Sequence, residues 1–329
     1  MPDNTINTRE IFFPHDIDSF NETALKIFQY QYLNNLEYNK FCALLGKSPQ
    51  NVKDVLAIPF LPIDFFKRLK IVSGTRNEEI IFKSSATTST IQSSHYISDL
   101  SVYKQSYIHC FKLFYGDPSD YCILALLPSY LERDGSSLIY MVKDLIERSN
   151  NPDSGFYLNN TGDLIEKLKI QESKGQKTLL FGVTFALIDF AQEFKYGLKT
   201  TIIIETGGMK GRKKEMIREE VHSILSEAFN VHGIHSEYGM TELLSQAYSL
   251  SNGVFRCPPW MKILIRNTQD PFEFLSNYKT GGINVIDFAN INSCSFISTQ
   301  DLGKTFDDGT FEVLGRFDHS DIRGCNLLI

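Results

Sequence analysis

The sequence predicts an α/β protein: a mostly parallel sheet covered by helices, followed by a β-rich subdomain. Three observations carry this. Between Tyr121 and Phe229, apolar runs of strand length alternate with helix-periodic segments. The runs "YCILALLP", "KTLLFG" and "KTTIIIE" lack strict polar alternation, as strands buried on both faces do. Beyond Tyr248 the periods shorten, and "MKILIR", "INVIDF", "SFIST" and "FEVLG" read as strands joined by turns. A length of 329 residues suits two domains, or one large domain with an appendage. The expected division is a helical N-terminal region over 1–60, an α/β core over 60–254 and a β-rich subdomain over 255–329.

The elements follow in order. Residues 21–46 carry Leu25, Phe28, Leu33, Leu36, Phe41 and Leu44 at helical spacing and stop at Gly46, which predicts one helix. "IPFLPIDFFK" reads as a packed loop entering a short helix. "SDLSVYKQSYIHCFKLFYG" is a long helix that Gly116 and Pro118 end. "SSLIYMVKDLIERS" and "TFALIDFAQEF" are helices between the strands. "GRKKEMIREEVHSILSEAF" is another, with Ile217, Val221, Ile224, Leu225 and Ala228 on one face.

Composition narrows the partners. Lys and Arg number 33 against 39 Asp and Glu, a net charge of -6, and the one basic block is "KGRKK", so nucleic acid is not expected. The N-terminus has no apolar signal segment, and no apolar run approaches 18 residues, so neither secretion nor a membrane span is expected. Six separated cysteines without a CxxC pair read as free thiols in a reducing cytoplasm.

Ligands of parallel sheets gather outside the carboxyl ends of the strands. Three such ends stand out. Ser84–Thr90, "SSATTST", is a hydroxyl-rich loop that would suit phosphate oxygens, although hydroxyls are also common in turns. "ETGG", Glu205–Gly208, lets the backbone turn sharply and lets a flat ligand approach the main chain; a plain strand-to-helix turn would look the same. In "HSEYGMTEL", Tyr238 could stack on a base and the Glu242 carboxylate could hold Mg2+. Thr241 and Glu242 would equally open an ordinary helix. Downstream, "TQDLG" puts Asp301 before a glycine turn, suited to ribose hydroxyls, and "LGRFDHSDIRG" ends a strand at Arg316.

Together these segments resemble the adenylate-forming superfamily over essentially Phe60–Ile329. Within it the likeness is greatest to the acyl-protein synthetase of bacterial bioluminescence operons and, more distantly, to phenylacetate-CoA ligase. The resemblance implies the large N-terminal domain of those enzymes, with ATP and Mg2+ as cofactors. It implies that Ser84, Ser85, Thr87 and Thr88 surround the ATP phosphates. Tyr238 and Gly239 would meet adenine, Thr241 the α-phosphate and Glu242 the Mg2+ ion. Asp301 would hold the ribose with Arg316 nearby, and Gly207 and Gly208 would line the adenine and acyl pocket. "TGD" at Thr161–Asp163 copies the ribose motif but lies on the wrong side of "YGMTEL".

The small mobile C-terminal domain of ordinary ligases is expected to be absent or vestigial, which leaves the acyl acceptor open. The resemblance implies acyl transfer to a cysteine near the C-terminus, a position held here by Cys325, and then to a partner protein such as a reductase, transferase or carrier protein. Direct transfer to the pantetheine of CoA or of a carrier protein is the alternative, and a non-catalytic nucleotide-binding or scaffolding partner is the reading from another class. The apolar segment around Phe181–Phe194 favours a fatty or other apolar acid; its first turn, Gly182–Phe185, is the expected lining of an acyl tunnel.

Overall fold

The computed structural model describes residues 6, 10–14, 16–85, 91–128, 135–207 and 216–316. The chain begins with α1 (Ile17–Asn34) and α2 (Leu36–Leu44), then β1 (Leu61–Pro62) and α3 (Phe65–Arg68). Next come β2 (Ile80–Lys83), β3 (Ser94–Ile97), α4 (Leu100–Tyr115), β4 (Cys122–Leu126), α5 (Ser137–Ser149), β5 (Gly155–Phe156) and α6 (Thr161–Lys174). These lead to β6 (Thr178–Val183), α7 (Thr184–Glu193), β7 (Thr201–Thr206), α8 (Arg218–Phe229), β8 (His235–Tyr238), β9 (Ala247–Ser249) and β10 (Val254–Phe255). The end of the described chain is β11 (Met261–Arg266), β12 (Gly281–Asp287), β13 (Phe296–Thr305) and β14 (Phe311–Arg316). The fold class read from the sequence, mixed α/β with a helix-flanked parallel sheet, is what these elements build.

The contacts divide the chain into two compact units. One comprises residues 80–94 and 100–255. Its sheet runs β5-β4-β6-β7-β8-β9, parallel throughout except for the β8–β9 pair. Every residue of β4 and β6 is buried, which is why both read as unbroken apolar runs. Residues Leu187, Ile188 and Phe190 of α7 and Val221, Leu225 and Phe229 of α8 are core, with the Phe190 and Phe229 rings stacked 5.9 Å apart. Gly182, expected to line a tunnel, is close-packed instead: a Cβ there would lie 2.7 Å from Leu187 and 3.1 Å from Leu126. Of Gly182–Phe185 only Phe185 is not buried.

The other unit joins residues up to 79, residues 95–99 and the chain from 256 onward. Strands β14, β13, β12 and β11 pair antiparallel in that order, and β1 adds to β13 in parallel, Leu61 opposite Ile297. The helical start is fastened to this sheet by buried amides. Gln31 Nε2 donates to the carbonyls of Asn290 and Ile291, and Asn35 Nδ2 to that of Ser293. The single helix expected over 21–46 is two, because Asn35 is extended (φ -116°) and its side chain accepts from Tyr38 N, capping α2. No helix among the described residues is long and apolar enough to cross a membrane.

Candidate active site

In the unit of residues 80–94 and 100–255, the loop after β2 has a well-fixed stem, although β2 is not a strand of the parallel sheet as the sequence suggested. Ser84 N donates to Ser93 O at 3.1 Å, Ser93 N to Ser84 Oγ at 2.9 Å, and Gln92 Nε2 to Ser84 O at 2.9 Å. Lys83 N donates to the carbonyl of Gly135, whose φ of +77° is one few residues other than glycine adopt. Ser84 and Ser85 are half-buried at this stem, while Thr87 and Thr88 lie outside the described residues.

The next two strand ends are joined to each other. Gly207 follows β7 with a left-handed φ of +65°, the conformation that the sequence reserved for glycine. Gly208 lies outside the described residues. In the β7–β8 ladder Glu205 pairs with Ser236 and Thr206 with Glu237. Thr206 Oγ1 donates to the Glu237 carboxylate. Tyr238 closes β8, buried to 8% exposure, with its ring edge-on to Phe255 at 6.0 Å.

Thr241 and Glu242 do not open a helix, contrary to one reading of the sequence. They form a turn in which Leu243 N bonds Met240 O, and the chain reverses into β9 against β8. Leu243 and Leu244 are buried, so the apolar residues that suggested a helix face instead anchor a reversal. Glu242 is 6% exposed, so it is buried in the fold. Gly239 is required by space, not by φ: a Cβ there would collide with the Glu237 carboxylate and lie 3.7 Å from Gln246 Cγ.

Within the other unit, Asp301 is not at a turn. It sits inside β13, and Gly303 is a strand residue whose Cβ would meet the Glu312 carbonyl and Ile283. Asp301 is buried to 6%, its N–H bonded to Thr299 Oγ1, and its cross-strand partner is Arg316. Arg316 Nε donates to Asp301 Oδ1 at 3.2 Å, from a side chain 79% exposed. So open an ion pair contributes about 0–1 kcal/mol, and Arg316 is bound to the carboxylate at little cost to any other role. Cys325 and the Asp318–Asp321 segment lie outside the described residues.

Solved structures with a similar fold include a ligase and two ATP-bound proteins. 2-Hydroxyisobutyryl-CoA ligase, in an open conformation with 2-HIB-AMP and CoA, superposes with a TM-score of 0.66 at 10% identity, covering 92% of this chain and 75% of that one. ATP-bound MatB from Rhodopseudomonas palustris gives 0.56 at 16% identity, covering 84% and 56%. The chain has the adenylate-forming fold. An ATP-bound RpMatB-BxBclM chimera gives 0.53 at 15% identity, covering 74% and 49%. This chain thus spans about half the length of the MatB-type structures. No protein-family model and no curated protein matches the sequence.

The sequence reading overlooked the side chains behind the strand ends. Glu205, at the end of an apolar run, is buried; burial raises its pKa, but the neighbouring polar groups of His222, Ser236 and Thr184 and the charge of Arg218 outweigh that and hold it lowered. A carboxylate closing the run "TTIII" was the available signal. For a metal, no three His, Cys, Asp or Glu side chains gather among the described residues. Mg2+ is commonly held by only one or two protein carboxylates, with water and phosphate oxygens completing its shell. Glu242 offers a single carboxylate, buried in the fold.

Proposed function

We propose that this protein activates a carboxylic acid with ATP. A carboxylate oxygen attacks the α-phosphorus, the bond to the β-phosphate oxygen breaks, and acyl-AMP and pyrophosphate form. The observation that carries the reading is the turn Tyr238–Glu242, set at the carboxyl end of a parallel strand in a fold shared with ATP-bound MatB. Tyr238 and Gly239 would receive adenine, Thr241 the α-phosphate, Asp301 the ribose, and the Ser84–Thr88 loop the remaining phosphates, with Gly207 and Gly208 beside the acyl group. Mg2+ on Glu242 would neutralise developing phosphate charge. The chain's own contribution is to hold these groups in place, since positioning carries much of the barrier reduction in such reactions.

The acid is proposed to be apolar, fatty or similar, on the support of Phe185 at the first turn of α7. The acyl group then passes to a thiolate, which attacks the acyl carbon and expels AMP. Cys325 is the proposed acceptor, with a partner protein next in line; pantetheine is the alternative. Among the described thiols, burial pushes Cys42 up to about 12 and Cys122 up to about 11, so neither offers a ready thiolate.

Pyrophosphate exchange into ATP over a panel of fatty, aryl and small polar acids tests the reading. Glu242→Gln is expected to lower exchange roughly 10-fold or more. Exchange absent with every acid, together with no ATP binding by calorimetry, refutes catalysis; ATP binding without exchange supports the scaffolding alternative. With labelled acid, ATP and Mg2+, hydroxylamine-labile label should reside on the protein and vanish in Cys325→Ser while exchange persists.

A further inference from the structure

Glu205 lies one residue before the end of β7 with its carboxylate inside the protein, and three other elements converge on it. Thr184 Oγ1, at the start of α7, donates to Oε2 at 2.8 Å. Arg218 Nε and His222 Nε2, one turn apart on α8, each lie 3.7 Å from Oε1. Ser236 of β8 is the register partner of Glu205, and its hydroxyl lies 3.2 Å from His222 Nε2, which links it to the carboxylate through the imidazole. Successive residues of a strand face opposite sides of the sheet. The Glu205–His222–Ser236 chain of contacts therefore ties β8 to β7 on one face, and the Thr206–Glu237 bond fastens it on the other.

A second line runs from the same carboxylate to the aromatic ring. Arg218 lies with its guanidinium 5.0 Å above the Phe255 ring, and Phe255 meets Tyr238 edge-on at 6.0 Å. Gly253 leaves room for this path, since a Cβ there would be 2.8 Å from Arg218 Cδ. Glu205 thus bears on Tyr238 through the strand and through Arg218 and Phe255.

We propose that Glu205 is a positioning residue: with Ser236, His222 and Arg218 it fixes the end of β8, and so the Tyr238–Glu242 turn, in the geometry the adenylation step needs. The inference rests on the reading that this turn performs the chemistry. In this role Glu205 acts through His222 and Ser236 and through Arg218 and Phe255.

The experiment uses the full chain with Glu205→Gln, Ser236→Ala and the double variant. Ser236→Ala removes one hydroxyl at constant shape, so it keeps the test decisive if Glu205→Gln folds poorly. Hydrogen–deuterium exchange without any substrate should show protection across residues 238–242 falling roughly 10-fold in each variant. Pyrophosphate exchange should show kcat reduced by about 10-fold and KM for ATP changed less than about two-fold, as misalignment of reacting atoms produces. The double variant should be no worse than Glu205→Gln alone, because both changes break one brace. Unchanged protection in Ser236→Ala, or a loss that is additive, or one confined to KM, overturns the proposal. Should the wild-type protein exchange no pyrophosphate, the adenylation reading fails by that result and the proposed catalytic positioning fails with it. The deuterium measurement alone then decides whether the brace exists.

Discussion

Gly239→Ala isolates one contact at the candidate site. The backbone at 239 is not left-handed, so alanine meets no conformational penalty of its own. Its methyl would instead strike Glu237 Oε1 and stand 3.4 Å from Cδ of the same carboxylate. That carboxylate cannot retreat freely, because Thr206 Oγ1 holds its other oxygen. Relief requires breaking a hydrogen bond to a charged group, which costs about 2 kcal/mol. In a chain of this size that corresponds to a melting temperature lower by roughly 3 °C. Circular dichroism melts at a fixed scan rate measure it. The mechanism is checked in a second background: with Glu237→Ala the obstruction is gone, and adding Gly239→Ala should then cost less than about 0.5 kcal/mol. Equal costs in both backgrounds, or no cost in the wild type, refute the reasoning.

Two further outcomes follow from buried groups. Gly282→Ala would place a methyl 2.5 Å from Cζ of Arg266, whose guanidinium bonds the carbonyls of Ile283 and Thr299 and the Asn284 amide oxygen. Displacing a buried cation from its acceptors costs about 3–5 kcal/mol, so a soluble variant with an unchanged melting temperature contradicts this account. His235, stacked on Tyr115 and 3.2 Å from its hydroxyl, is pushed down to about 4 by burial. Between pH 6.5 and 4 the unfolded chain takes up a proton that the native state refuses, so stability is complete above about 6.5 and falls as the pH drops toward 4. His235→Gln should flatten that slope in urea melts, and an unchanged slope rules the assignment out.

The parallel strands were legible because β4 and β6 are buried on both faces, which leaves an apolar run with no polar punctuation. Local capping was harder to read. Asn35 lies within a sequence of unbroken helical spacing, and only its extended backbone and its bond to Tyr38 N divide α1 from α2. Glycine misled at "QDLG" because it has two uses. It permits a turn, and it also permits neighbouring chains to approach, and Gly303 does the second against Glu312 and Ile283. The attachment of the helical start to the β-rich end was out of reach, since Gln31 and Asn290 are 259 residues apart and no local pattern couples them.

The candidate site divides along the same line. Tyr238, Gly239, Thr241 and Glu242 are contiguous, so one short window displayed them together. What holds that window in place is not contiguous. Thr184, Glu205, Arg218, His222 and Ser236 come from α7, β7, α8 and β8, and each alone is an unremarkable polar residue. Their meaning arises from burial. A carboxylate placed inside the protein is unstable there unless donors surround it, so the fold that buries Glu205 must also bring those donors to it. A charged residue at the end of an apolar strand is therefore a sequence-level sign of a brace, although its partners become identifiable only once the neighbouring elements are known. By the same reasoning Glu205 should tolerate replacement only when its donors are changed with it. Glu205→Leu alone would leave Arg218 and His222 facing an apolar side chain and should destabilise the protein more than Glu205→Gln does, a difference that urea melts of the two variants would measure.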